Sequence, residues 1–125
     1  MIELEIVNGT FSIHKVCPDR KDLLDLFNED FFSITKTNDE ISVVCREEIF
    51  IKETEVENGW KCLKVKGILD FSLVGIFHSI LTELKNAEIS VFVISTFNTD
   101  YILIKKESFE KAVKVLNMTN NISIK

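Results

Sequence analysis

The sequence predicts an α+β fold in which helices pack on one face of a mainly antiparallel sheet, and two kinds of pattern carry that prediction. A nineteen-residue stretch occurs twice, sixty positions apart: FFSITKTNDEISVVCREEI at Phe31–Ile49 and VFVISTFNTDYILIKKESF at Val91–Phe109. Each copy reads as a β-rich run, a polar turn, a second β-rich run and a charged exit, which is the signature of a hairpin. Aligned without a gap, the copies share Phe32 with Phe92, Ile34 with Ile94, Asn38 with Asn98 and Glu47 with Glu107. Helical spacing is the second pattern. From Leu73, apolar residues recur at Ile76, Phe77, Ile80, Leu81 and Leu84, and near the C-terminus at Phe109, Ala112, Val113 and Leu116.

Taken in order, Glu3–Val7 and Thr10–Val16 read as strands split by a turn at Asn8-Gly9. Pro18, Asp19 and Asp22 are start signals for a short helix carrying Leu23, Leu24, Leu26 and Phe27. The first hairpin follows. The charged segment Glu53–Gly59 is the candidate boundary, dividing the chain into units 1–58 and 59–125. Beyond it Trp60–Val65 alternates as a strand, and Asp70 or Ser72 is placed to cap the helix that carries Leu73–Leu84. Ile89–Thr96 and Tyr101–Lys105 are strands around a turn at Phe97–Asp100, and the last helix closes a βαββα series. The first half is a reduced copy, because Ile13–Ile34 spans ten residues fewer than Leu63–Ile94. A strand, a crossover helix and a hairpin, present twice, predict ferredoxin-like units of the βαββαβ type.

Composition bounds the function. With 46% hydrophobic residues and ten Phe, a packed core is expected and disorder is not. Fifteen Lys and Arg against twenty Asp and Glu give a net charge of -5, which opposes attraction to nucleic acid or anionic membranes. The N-terminal MIELEIV lacks a basic segment and a long apolar run, so neither a signal peptide nor a membrane span is predicted, and the expected location is the cytoplasm. Cys17, Cys45 and Cys62 are odd in number and each set among apolar neighbours, which predicts buried free thiols. His14 and His78 lie in a predicted strand and beside a helical stripe, where packing or solvent contact is the default. The uncharged run Ile89–Phe97 needs cover: it is either a central strand beneath the helices or part of a sheet that continues into a second subunit of a homodimer.

The segments GILDFSLVGIF at Gly67–Phe77 and ISTFNTDYILI at Ile94–Ile104 resemble the ACT-domain family, in the tandem form related to CASTOR-type arginine sensors. That family's second unit carries LDFSLTG and STYNTDYILV segments, so the departures are Val74 for Thr and Phe97 for Tyr. FFSITKTNDEISVVC and the Gly59-Trp60 pair extend the likeness, which covers most of Phe11–Leu116. The resemblance implies tandem ACT units, amino-acid binding at an interface between units, and frequent dimerisation. It also implies that Asp100 faces the cationic part of a ligand.

Elementary chemistry supplies the remaining contacts an amino acid needs. The amides of Phe71, Ser72 and Leu73, near a helix N-terminus, can take the carboxylate, with the Ser72 hydroxyl beside them. Asp70 is a second candidate for the ammonium group. Main-chain groups of Ser95, Thr96, Phe97, Asn98 and Thr99 can complete the polar contacts, and Leu69, Phe71 and Phe97 the apolar lining. Gly75 would let backbone approach closely. The duller reading of the same residues is a helix cap and a hairpin turn. No His, Cys or Ser arrangement with a base, no P-loop, no dinucleotide fingerprint and no ligand cluster occurs, so no enzyme activity, cofactor or metal is expected. A protein-interaction subunit, docking on an enzyme or signalling complex, is the alternative.

Overall fold

The structure is a computed structural model that describes residues 2–66 and 75–125. In chain order it contains β1 (Ile2–Val16), a 3₁₀ helix (Leu24–Asn28), β2 (Phe32–Lys36), β3 (Ile41–Arg46), β4 (Glu55–Val65), α1 (Ile76–Asn86), β5 (Val91–Ser95), β6 (Asp100–Lys105), α2 (Lys106–Asn117) and β7 (Ile122–Ile124). It divides into two compact units. The larger comprises 1–8 with 60–125, and the smaller is Gly9–Gly59. The first eight residues thus group with the C-terminal portion.

The larger unit is the ferredoxin-like arrangement. The strand segments follow the order β7, β1, β4, β6, β5, with β6 antiparallel to both neighbours and β7 parallel to β1. Alternate residues of β4 and β6, Leu63, Val65, Ile102 and Ile104, meet Ile80 and Leu84 of α1 and Ala112 and Leu116 of α2 in one core. Strand period two and helical i, i+4 spacing thus converge on the same layer. Complete burial of each such aliphatic side chain stabilises the unit by roughly 1.5–3 kcal/mol.

Strand β7 was not expected, because three residues, ISI, are too few to show a period. Its register is nonetheless fixed by Ile2 N–H donating to Asn121 O at 2.7 Å and Lys125 N–H donating to Leu4 O at 3.0 Å. Among the described residues strand β5 lies at the end of the order and pairs with β6 alone, so there it is an edge and not the central strand considered above.

In the smaller unit the order is β2, β3, β1, β4, with antiparallel β2–β3 and β1–β3 pairs. Val16, Leu26, Ile41, Val43, Cys45 and Ile51 form its core. The expected helix is a single 3₁₀ segment that buries Leu26 and leaves Leu24 and Phe27 exposed. One tight turn is all this short linker accommodates.

Asn8 and Gly9 do not form a turn: β1 runs through them as one strand of 15 residues. Gly9 adopts φ +102, and a Cβ there would collide with the Arg46 guanidinium, so glycine serves an irregularity within a strand and not a hairpin. The two hairpins recur as predicted, with a shift. Their turns, Thr37–Glu40 and Thr96–Thr99, are both closed by a first-residue N–H donating to the fourth-residue carbonyl, at 2.9 and 2.8 Å, and lie 59 positions apart instead of 60. The ungapped alignment is therefore one residue out of register, which places its identical residues on opposite faces.

Cys45 and Cys62 are buried, as expected, but Cys17 is exposed and donates to Asp19 Oδ1 at 2.7 Å. Pro18 ends the strand pattern at Val16, leaving Cys17 in the loop. Burial, with Glu29 and Glu48 nearby, pushes the Cys45 thiol up to about 11, which removes thiolate at neutral pH. A thiol-reactive probe is expected to label one cysteine rapidly in the native state and the other two only on unfolding. Peptide mapping of the labelled protein checks that the fast site is Cys17.

Candidate functional site

The described part of the expected site is the β5–β6 hairpin. Its four-residue turn is self-supporting: the Thr96 hydroxyl accepts from Thr99 N–H at 3.2 Å and lies 3.0 Å from Thr99 O, to which it donates. Thr96 N–H donates to the same carbonyl. This side-chain-to-backbone bonding is the usual role of Thr in turns. Across the mouth of the hairpin the Ser95 hydroxyl donates to Asp100 Oδ1 at 2.5 Å. One carboxylate oxygen is thereby committed to the hairpin, and Asp100 retains Oδ2.

The turn is anchored by Thr99. Its side chain is 6% exposed, and its hydroxyl donates to the carbonyl of Val65 at 2.6 Å. Val65 is the last residue of β4, and the chain leaves it through Lys66 toward 67–74. A single buried hydrogen bond thus fixes the hairpin tip against the strand end from which that segment departs. Sequence reading gave Thr99 only main-chain contacts. A buried hydroxyl cannot be told from an exposed one by residue type.

Leu69, Asp70, Phe71, Ser72 and Leu73 lie outside the described residues, as does the capping role of Asp70 or Ser72. Helix α1 opens at Ile76 with Gly75 as its N-cap residue and without a side-chain cap. Gly75 adopts φ +97, and a Cβ on it would meet nothing within 4 Å. The close backbone approach expected of Gly75 is therefore absent among the described residues. What the position demands is the left-handed conformation. Phe97, expected as lining, projects from the turn with 90% of its surface exposed, and Asn98 is exposed beside it.

The opposite face of β4 and β6 from the helices carries an aromatic group. Trp60 packs edge-on to Phe92, with ring centroids 6.4 Å apart. The Lys105 ammonium lies 4.8 Å from the Trp60 ring centre, and Lys64 lies 5.8 Å from that of Tyr101. His78, on α1, is exposed and 3.4 Å from the Thr82 hydroxyl. Among the described residues no group of three His, Cys, Asp or Glu is arranged to hold a metal, and no helix is long and apolar enough to cross a membrane.

Replacing the Thr99 hydroxyl by a methyl, Thr99→Val, strands the buried Val65 carbonyl. A loss of about 1–3 kcal/mol is expected in urea unfolding. An unchanged midpoint would show that the anchor is dispensable.

Residues 55–118 match the ACT domain, and a second family, described as an N-terminal domain, matches 26–53. A crystal structure of a protein from Agobacterium tumefaciens is similar at 31% identity and TM-score 0.89, covering 99% of this chain and 92% of that one. A Vibrio cholerae protein of unknown function, described as a possible transport protein, has 17% identity and TM-score 0.67 over 90% of this chain and 85% of its own. The regulatory subunit of aspartate kinase from Thermus thermophilus, in ligand-free form, has 8% identity and TM-score 0.65 over 90% and 93%. At those last two identities the likeness is one of fold. A search among curated proteins finds no match. The family match, spanning just over half the residues, meets the sheet order and the two-helix layer described above: the chain belongs to the ACT-domain family.

Proposed function

We propose that this ACT-domain protein binds an amino acid or similar small metabolite without transforming it, and that binding regulates a separate protein. The observation that carries the reading is the Thr99–Val65 bond, which holds the Ser95–Asp100 hairpin beside the chain leading into 67–74, so both halves of the expected site start from one place. Asp100, with one oxygen held by Ser95, offers the other to a ligand ammonium. The amides of Phe71, Ser72 and Leu73 take the carboxylate, Asp70 assists at the ammonium, and Leu69 and Phe97 cover the side chain. The backbone of Thr96, Asn98 and Thr99 completes the polar contacts.

The tandem reading, with ACT-like units at 1–58 and 59–125 as in CASTOR-type sensors, belongs to the same proposal, as does a cytoplasmic location. Regulation then follows from differential affinity: a ligand that bridges two units favours their joined state only as far as it binds that state more tightly. Support for a regulatory role comes from the fold shared with an aspartate kinase regulatory subunit. The alternative is a protein-interaction subunit without a ligand of its own, for which the exposed Phe97 at the hairpin tip is the favouring observation.

A screen of amino acids by thermal shift tests this. At a ligand concentration about ten times Kd, linkage predicts about 1.4 kcal/mol of stabilisation, a rise of several degrees. The rise is expected to be selective for one ligand class and lost in Asp100→Ala, whose unliganded melting temperature should stay close to that of the parent. A response retained in Asp100→Ala would sink the polar assignment, and a flat screen would move the reading to the interaction subunit.

Homodimerisation through β5 extends the proposal. The strand VFVIS has no charge or proline along its edge, and Val91, Phe92, Val93 and Ile94 are all half-buried. Natural sheets normally guard such an edge with Lys, Pro or a bulge. Light scattering should therefore give twice the chain mass, falling to one chain in Val93→Lys. An unaltered mass in that variant would exclude β5 as the contact.

A further inference from the structure

The charge of the chain is not evenly shared. Gly9–Gly59 carries six Lys and Arg against twelve Asp and Glu, a net charge of -6, whereas the larger unit has nine against eight, +1. Internal pairing does not remove that excess. Arg20 holds Asp22 at 2.6 Å and also attracts Glu53, and Arg46 holds Asp30 at 3.1 Å and also attracts Glu29 and Glu48. With every cation of the unit neutralising one carboxylate, six carboxylates are still uncompensated.

The excess is gathered along a row of three cavities. One of about 330 Å³ is lined by the 3₁₀ helix and residues 49–52, a second of about 420 Å³ shares Ile49, Phe50 and Ile51 with it, and a third of about 350 Å³ shares Glu53 and Thr54 with the second. Every lining residue belongs to Gly9–Gly59, and among them are eight of the twelve acids and three of the six cations. Asp25, Asp39, Glu48, Glu53 and Glu55 are exposed along it. Phe50 stands at the wall common to the first two cavities with 85% of its surface exposed. A large ring left in water between carboxylates is matched by a partner that carries apolar side chains among cationic ones.

Other occupants fit less well. Together the three cavities exceed the roughly 300–1,000 Å³ of a small-molecule pocket. A second copy seated face to face would set like charge against like, and nucleic acid or an anionic membrane would be repelled. Among the described residues no three His, Cys, Asp or Glu are arranged to hold a metal ion.

We propose that this row of cavities is the docking groove for a Lys- and Arg-rich segment of a partner protein, its cations facing Asp25, Glu48 and Glu53 and its apolar side chains packing on Phe50. The groove deepens the regulatory reading, on which it rests for the partner's role alone, by naming the surface and the chemistry of the regulated protein. It shares no residue with the hairpin site.

The probe is a synthetic peptide of alternating Lys-Lys and Leu-Phe pairs. Three controls replace its Lys by Glu, its Leu and Phe by Ser, or the whole peptide by spermine. Binding to the full chain is measured by calorimetry at about 0.15 M salt, where distant exposed charges are screened, and mapped by ¹⁵N amide resonances. The Lys peptide is expected to bind with shifts confined to 20–29 and 47–56, and each control to bind at least about tenfold more weakly. Phe50→Ser, at an exposed position, should fold normally and lose about tenfold in affinity. Glu48→Gln with Glu53→Gln should lose about fivefold, whereas Glu107→Gln with Glu110→Gln, the same charge change on α2, should lose less than about twofold. Equal binding of any control, full affinity in Phe50→Ser, an equal loss in both double variants, shifts centred on the larger unit, or no binding up to about 1 mM would each overturn the groove. A flat amino-acid screen beside intact peptide binding supports the groove and removes the ligand reading alone.

Discussion

The larger unit depends on a strand that comes from the other end of the chain. In the sheet order β7, β1, β4, β6, β5, the first residues of β1 stand between the last strand and the first strand of the C-terminal βαββαβ series. Leu4, 1% exposed, belongs to the same core as Ile122 and Leu116. The backbone of β1 is engaged on both sides: Ile6 N–H donates to Lys125 O at 3.0 Å, and Lys66 N–H donates to Glu3 O at 2.9 Å. Without residues 2–8 these partners would be exposed edges, so the βαββαβ series is not self-contained in this chain. Ion pairing accompanies the same junction. Glu3 lies 3.2 Å from Lys125 Nζ and 3.4 Å from Lys66 Nζ, and the hydrogen bond from Lys125 above all holds its carboxyl below the usual range. These groups are well exposed, so backbone pairing and the burial of Leu4 decide the arrangement and the ion pairs add little.

Two glycines show how long strands serve two compact units. β1 and β4 each pass from one unit to the other, and Gly9 and Gly59, the residues at either end of the smaller unit, have φ +102 and +81. A side chain at either position would be strained. Next to Gly59, Asn58 Oδ1 accepts from the Ser12 hydroxyl at 2.5 Å and Glu47 accepts from Gly59 N–H, so the irregular backbone is held by side chains. In sequence Asn8-Gly9 read as a turn and Asn58-Gly59 as the end of the boundary segment Glu53–Gly59. The same two-residue signal marks a hairpin or a strand irregularity, and only the pairing partners distinguish them.

That distinction measures what was legible. Both α-helices were readable because their burial is one-sided: Ile80 and Leu84, and Ala112 and Leu116, repeat at the period the pattern requires. The hairpins were readable as a repeat, yet their register was not, since Phe32 aligned with Phe92 satisfies residue identity while the turns demand a shift by one. Turn closure by Thr37 and Thr96 carries that information, and both residues are in the sequence. The edge position of β5 was hidden for a different reason. Half-burial of Val91, Phe92, Val93 and Ile94 produces the same unbroken apolar run as full burial on both faces. In the candidate site the turn was legible from its residue types, whereas Asp100 was singled out by the family resemblance. The anchoring of Thr99 to Val65 spans 34 positions and leaves no local trace.

The two units also divide polar chemistry differently, and burial is what separates them. At the hairpin, each hydroxyl that is used is answered: Ser95 by Asp100, Thr96 by Thr99, Thr99 by Val65. Such a turn is held in place by its own side chains. In the smaller unit His14 is the reverse case, a buried ring with one nitrogen satisfied through Thr54 and one not. An interior that left a ring nitrogen unanswered merely for packing would be better served by an apolar residue of similar volume. His14 stands opposite Val43 on a sheet face that it shares with Ser12, Val16, Ile41 and Cys45.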